Sequence, residues 1–163
     1  MRLFLCAFTL CFVSCAAVPP PVPLSALEIR AIQTREYPTR STTMVMKAVL
    51  NVLQDEGFIA KNAVPELGLI TATKEIDLER ENDRFWNTFL GGRDARWPKN
   101  SVIEANANVS EFGDDTRVRI TFQRKVFDNT GAVVSVQSIE SAQYYQEFFS
   151  KVDKGIFIQK ERI

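Results

Sequence analysis

The sequence predicts an α+β domain of two layers, in which an antiparallel sheet of about five to six strands carries two helices packed on one face. Three observations favour this fold: one segment repeats apolar residues at helical spacing, several segments alternate apolar and polar residues, and a second amphipathic segment lies near the end. The predicted order is strand, helix, hairpin, insert, three-stranded meander and helix, which is typical of such domains. We place this single domain at residues 28–163.

The first strand and the first helix are predicted from local pattern. Residues 28–37 alternate loosely and precede Pro38, which favours an edge strand. Residues 44–56 follow three hydroxyl side chains at 41–43 that can cap a helix, and they end at Gly57, which suits a left-handed C-terminal cap. The apolar residues that recur at helical spacing are Val45, Val49, Val52 and Leu53.

The remaining strands are predicted from alternation and from turn residues. A hairpin around Pro65-Glu66-Leu67 is followed, after an insert, by three further strands. The two strands of the hairpin are predicted at 58–64 and 68–75, and the three further strands at 102–110, 117–123 and 132–138. The second helix follows, with an apolar stripe of Tyr145, Phe148, Phe149 and Val152, and we expect Gly155 to end it.

The N-terminus has the pattern of a secretory signal peptide. Arg2 is followed by an apolar run of about eleven residues and then by small residues, and this run is too short to span a bilayer. We therefore assign residues 1–14 as the signal peptide. Residues 15–27 contain four prolines, which predicts an extended, semi-rigid linker to the domain.

The end of the signal peptide, Phe12-Val13-Ser14-Cys15, resembles the lipobox of bacterial lipoproteins. The resemblance implies that diacylglycerol is attached to the sulfur of Cys15, that cleavage occurs before this residue, and that the new amino group is acylated, for example with palmitate. Two or three acyl chains anchor a protein firmly in a membrane. The alternative is cleavage after Ala17, which would give a secreted protein without lipid.

Composition excludes several classes of function. The chain has no histidine, and two of its three cysteines lie in the signal peptide, so we expect no disulfide, no zinc site and no nucleophile activated by histidine. No phosphate-binding glycine motif or calcium loop is present, and we predict a protein without a cofactor that is not an enzyme. Basic and acidic residues number 20 each, which gives no reason to expect a nucleic-acid partner.

The insert at residues 77–100 is a candidate interaction surface. It combines aromatic residues at helical spacing with arginines, a composition common at protein interfaces and at lipid headgroups. The candidate residues are Phe85, Trp86, Phe89, Arg93, Arg96 and Trp97. The alternative is that the apolar residues pack on the sheet and complete the core.

Two longer stretches, residues 44–74 and 144–160, resemble small membrane lipoproteins of proteobacteria to which no activity is assigned. The helix followed by a hairpin is also similar, more loosely, to lipoprotein subunits of the outer-membrane barrel-assembly machine. Ala16 after the cysteine, rather than aspartate, resembles the signal for sorting to the outer membrane. These resemblances imply an envelope lipoprotein facing the periplasm.

Two functions follow as hypotheses. The first is a non-catalytic, lipid-anchored accessory subunit that binds another envelope protein through an edge strand or through the insert. The second is a carrier that holds a lipid or another small apolar molecule between helices and sheet. Hydrolysis by carboxylates alone is a third and weaker alternative.

Overall fold

The computed structural model describes residues 24–77, 100–127 and 131–161, and it has the predicted α+β architecture. A short 3-10 turn at Pro65–Leu67 joins the second strand to the third. The helices and strands are α1 (Ala26–Ile32), β1 (Thr34–Tyr37), α2 (Thr42–Asp55), β2 (Ile59–Val64), β3 (Leu69–Asp77), β4 (Asn100–Phe112), β5 (Asp115–Phe127), β6 (Val133–Ser138) and α3 (Ala142–Glu161).

The six strands form one antiparallel sheet in the order β1-β5-β4-β3-β2, and β6 also pairs with β5. β1 and β6 therefore share one side of β5. β1 pairs with its first half, from Thr116 to Arg119, and β6 pairs with its second half, from Gln123 to Phe127. The long central hairpin of β4 and β5 pairs with β1, β3 and β6, and β2 lies beyond β3.

The hydrophobic core lies between one face of the sheet and the helices. Alternate residues of β3, β4 and β5 point to this face and are buried. Ala72, Ala105 and Phe122 are aligned across the three strands, so the small alanines leave room for aromatic rings around Phe122. The rings that pack against Phe122 belong to Phe58, Tyr144, Tyr145 and Phe148.

Helix α2 confirms the first helix prediction and begins two residues earlier than expected. The hydroxyl of Ser41 accepts a hydrogen bond from the N–H of Met44 at 3.3 Å, which caps the helix. The apolar stripe is buried against the sheet and against α3. Gly57 follows with a φ of 83°, as its predicted role at the C-terminus requires.

The prediction of a strand over residues 28–37 is wrong for its first part. α1 begins at Ala26, inside the predicted linker, and only the four residues of β1 are extended. Ser25 and Glu28 form a capping box, in which the hydroxyl of Ser25 accepts the N–H of Glu28 and the Glu28 carboxylate accepts the N–H of Ser25. These hydrogen bonds lower the pKa of Glu28 and start the helix.

The prediction that Gly155 ends the last helix is also wrong. α3 continues through this residue to Glu161, and the φ of Gly155 is not positive. A Cβ at position 155 would lie 3.7 Å from the Cβ of Ala48 on α2. Gly155 therefore lies where α3 packs against α2, at a distance that would give an added methyl group an ordinary van der Waals contact.

The second face of the sheet is open and polar. Its residues include Thr71, Asn106, Arg119 and Thr121. Two cross-strand ion pairs lie on this face, Arg117 with Glu36 and Lys125 with Glu104, both at 2.8 Å. Among the described residues, the sheet therefore has a helix-covered face, an open polar face and exposed outer strands, and the last two are accessible to a partner.

Candidate functional site

All the residues predicted as functional lie outside the described part of the chain. This applies to the lipidation site Cys15 and to the surface of the insert, formed by Phe85, Trp86, Phe89, Arg93, Arg96 and Trp97. Both therefore remain predictions. Among the described residues, the outer strands of the sheet provide a candidate site.

An outer strand carries unpaired backbone groups that can bind another strand. Natural proteins protect such edges with charged side chains and with bulges. β2 has both devices, because the pairing register shifts between Ala60 and Asn62 and leaves Lys61 as an exposed, unpaired residue in the strand. β1 is only four residues long and carries Arg35 and Glu36. These two edges are poor sites for strand addition.

β6 lacks the charges that protect the other two edges. The segment from Ala132 to Ile139 contains no charged residue and no proline. Val133, Val134 and Val136 are exposed, the last two by 63% and 54%. Since surface valines in an uncharged outer strand favour association, β6 is the accessible edge that the described residues offer to a partner.

The pairing of β6 with β5 fixes which of its backbone groups are accessible. The N–H of Ile139 donates to the carbonyl of Phe122 at 2.9 Å, which makes this pair a hydrogen-bonded one. Because such pairs alternate along an antiparallel ladder, Gln137 and Ser135 also point their backbone groups toward β5. The backbone groups of Val136 and Ser138 therefore point outward, and no described strand pairs with them.

A small groove lies between the C-terminal end of α2 and the start of α3. Its volume is about 10 Å³, which suffices for one water molecule at most. Glu56, Tyr144, Glu147, Phe148 and Lys151 line it, and Lys151 forms an ion pair with Glu56. Burial, together with the Glu56 carboxylate, raises the pKa of Tyr144, so its hydroxyl stays protonated. This groove is too small for a lipid.

Three buried polar side-chain atoms of the described residues have no hydrogen-bond partner. They are the hydroxyl of Tyr37, the hydroxyl of Ser101, which is fully buried, and the Nε of Arg124. Arg124 forms no ion pair with a described residue, and burial lowers the pKa of its guanidinium. Ser101 and Arg124 lie on adjacent strands, offset by two positions in register. Both atoms are covered, so this pair is not an accessible binding site.

The described residues hold no cluster that suggests metal or membrane-spanning function. Within 24–77, 100–127 and 131–161, no three Asp, Glu, Cys or His side chains are close enough to hold a metal ion. In the same part of the chain, no helix has the length and apolar character needed to cross a membrane.

The chain matches no known protein-family model, and no curated protein is significantly similar to it.

The sequence predicted β6 as a strand over 132–138 but gave no sign that it is an outer strand. Alternation of apolar and polar residues is a local signal, whereas strand order depends on pairing between distant segments. The sequence does show that no charged residue lies between Ala132 and Ile139, in contrast to Lys61 in β2, but this does not by itself indicate an outer strand. Read together with an edge position, that absence identifies the accessible strand.

Proposed function

We propose that this protein is a non-catalytic, lipid-anchored protein of a bacterial envelope whose domain binds another protein. The proposed anchor is a set of acyl chains at Cys15. Ala16 favours sorting to the outer membrane, with the domain facing the periplasm. Support for the anchor comes from the sequence, because the apolar leader ends in Phe12-Val13-Ser14-Cys15. Two or more acyl chains would hold the domain firmly at the membrane surface.

The observation that carries the protein-binding proposal is the exposed, uncharged edge of β6. Val134 and Val136 remain more than half exposed there, although most large apolar side chains of the sheet's covered face are buried. An edge of this kind is an aggregation hazard unless a partner covers it. Both β2 and β6 have a bulge, but only β2 has a charged residue, Lys61, at that position, and this difference supports a binding role for β6.

The described structure gives less support to the carrier hypothesis. A carrier for a lipid needs a cavity of several hundred Å³. Around Phe122 the space between helices and sheet is filled by aromatic rings at centroid distances from 4.9 Å to 5.9 Å. The groove beside Tyr144 holds at most one water. We therefore favour a protein partner over a small apolar ligand.

The anchor is tested by replacing the proposed lipid attachment site. Labelled palmitate should enter the wild-type protein but not Cys15→Ala, and the variant should leave the membrane fraction or accumulate as a precursor. Ser14→Ala is a matched control, because it changes the adjacent residue and keeps the sulfur. A wild-type protein that takes up no palmitate and fractionates away from membranes would contradict the anchor and favour cleavage after Ala17.

Partner binding is tested by purifying the full chain from detergent-solubilised membranes. Stoichiometric recovery of the same protein in repeated purifications supports a subunit role. Recovery of a bound lipid in place of a protein would favour the carrier hypothesis and contradict the proposal. This measurement does not depend on which surface of the domain makes the contact.

A further inference from the structure

The inference that follows rests on the proposed function and specifies how the partner binds. We infer that an extended, uncharged segment of the partner protein pairs with β6 as a seventh strand, through the outward backbone groups of Val136 and Ser138. Binding of this type obtains affinity from main-chain hydrogen bonds and specificity from alternate side chains. The occupant is therefore a strand of another protein, neither a helix nor a charged surface.

The backbone of β6 supports strand addition at a definite register. Val136 is opposite Lys125 and Ser138 is opposite Gln123, and both are positions where the ladder to β5 makes no hydrogen bond. Their N–H and C=O groups thus point away from β5. An incoming strand would satisfy both donors and both acceptors without disturbing the hydrogen bonds that hold β6 in the sheet.

The side chains of β6 define the chemistry of the incoming strand. Val136 lies on the open face opposite Lys125, and Val134 is the extra residue of the bulge, without a partner in the ladder. Lys125 is already paired with Glu104 at 2.8 Å, so it attracts no further anion strongly. A charged side chain placed beside the valines would lose hydration without gaining a partner. The incoming strand is therefore apolar or neutral at these positions.

The length of the accessible edge argues against a stable dimer of this chain. β6 has six residues and so extends about 20 Å. The bulge opposite Val126 disturbs one end, and the chain turns into α3 at the other end. A strand of this length covers roughly a few hundred Å², whereas a stable interface buries about 800 Å² per partner. One extended segment of a larger partner, which can make further contacts elsewhere, fits this edge better than a second copy.

The test distinguishes the contribution of the Val136 backbone to partner binding from the contribution of its side chain. In the full chain, Val136→Pro removes the outward N–H, and the inward bonds of Ser135 and Gln137 remain. Val136→Thr keeps the N–H and the shape of the side chain. Capture of the partner from solubilised membranes should fall about five- to tenfold in the proline variant, since one hydrogen bond contributes about 1 kcal/mol. It should change less than twofold in the threonine variant.

A photoreactive p-benzoylphenylalanine at Val134 maps the contact in cells. With no other substitution, this variant should form an adduct with the captured partner. The photoreactive amino acid placed instead of Lys61 on β2 should form none. Partner capture that is equal in wild type and Val136→Pro would overturn strand addition. So would an adduct whose mass is twice that of the chain, or one formed with lipid alone.

Two further measurements keep the inference falsifiable. Circular dichroism reports whether Val136→Pro remains folded. If it does not, replacement of Val136 by α-hydroxyisovaleric acid removes the N–H and keeps the side chain, with the same expected loss. A wild-type chain that captures no protein at all would refute the proposed function. Capture that resists both backbone changes would refute only the added strand.

Discussion

The hydroxyl oxygen of Tyr145 accepts a hydrogen bond from the backbone N–H of Phe122, with 3.3 Å between the two atoms. The side-chain amide of Gln33 donates to the same oxygen, also at 3.3 Å. Phe122 lies between the segments of β5 that pair with β1 and with β6. The Tyr145 side chain, which belongs to α3, therefore accepts the hydrogen bond of the Phe122 N–H at a position where neither β1 nor β6 does so.

We expect Tyr145→Phe to lower the free energy of unfolding by about 1–3 kcal/mol. The variant leaves the buried N–H of Phe122 without a partner, and an unsatisfied buried donor carries a cost of this size. Gln33→Met is the matched control, because it removes the second donor and keeps the bond to Phe122. Urea unfolding should show a smaller loss for the control. Equal losses in both variants would mean that the bond to Phe122 contributes nothing.

The three tyrosines should make the fold sensitive to strongly alkaline pH. Burial raises the pKa of Tyr37, Tyr144 and Tyr145. Below the unfolded pKa of about 10 these tyrosines are protonated in both states, so they add no pH dependence. Above it the unfolded chain releases protons that the folded chain keeps, and stability decreases.

Absorbance of tyrosinate near 295 nm checks this expectation. In the folded protein the signal should remain low above pH 10 and rise only together with loss of the circular-dichroism signal. In urea it should rise with a midpoint near 10. Gradual titration of all three tyrosines near pH 10 in the folded protein would contradict their burial.

The parts of the fold that follow from local signals were predictable from the sequence. The buried stripe of α2, its Ser41 cap and the hairpin around Pro65 all depend on residues close together in the chain. At 28–37 two local signals compete. The loose alternation favoured a strand, whereas the capping box of Ser25 and Glu28 starts a helix.

The parts that depend on distant residues were not predictable. Glycine is common at helix ends, which is why we predicted that Gly155 ends the last helix. Its actual position, inside α3 and next to α2, depends on packing against Ala48, more than a hundred residues away. The position of β6 at the edge likewise depends on β1 occupying the other half of β5. Cys15 and the insert residues lie outside the described ranges, so those site predictions await experiment.

Gly68→Ala should destabilise the domain by at least about 2 kcal/mol. Gly68 has a φ of 63°, and a Cβ there would lie 1.9 Å from the carbonyl oxygen of Val109. The left-handed conformation alone costs an alanine about 1–2 kcal/mol, and the clash with the backbone adds to this cost. Gly113→Ala is the matched control, since its φ is also 63° and no atom lies within 4 Å of its Cβ. A thermal melt in which both variants lose equally would show that the clash is relieved at little cost.

Gly155→Ala should instead stabilise the domain, by up to about 1 kcal/mol. Glycine in a helix interior is less favourable than alanine by about 0.5–1 kcal/mol. The added methyl group would be 3.7 Å from the Cβ of Ala48, which is an ordinary van der Waals distance. Gly155→Leu is the comparison, because its larger side chain should force α2 and α3 apart and cost about 1–3 kcal/mol. A lower melting temperature for Gly155→Ala would contradict this account of the helix contact.

The last prediction concerns the difference between the two long outer strands. Val136→Lys places a charge on β6 of the kind that Lys61 supplies on β2, and Lys61→Val removes that protection. Charged side chains on an outer strand disfavour pairing between chains. Light scattering of the purified domain at high concentration should therefore decrease for Val136→Lys and increase for Lys61→Val. Both side chains are exposed, so unfolding free energies should change by no more than about 0.5 kcal/mol. If Val136→Lys leaves the scattering unchanged while the fold is intact, the free edge of β6 is not the surface through which the domain associates.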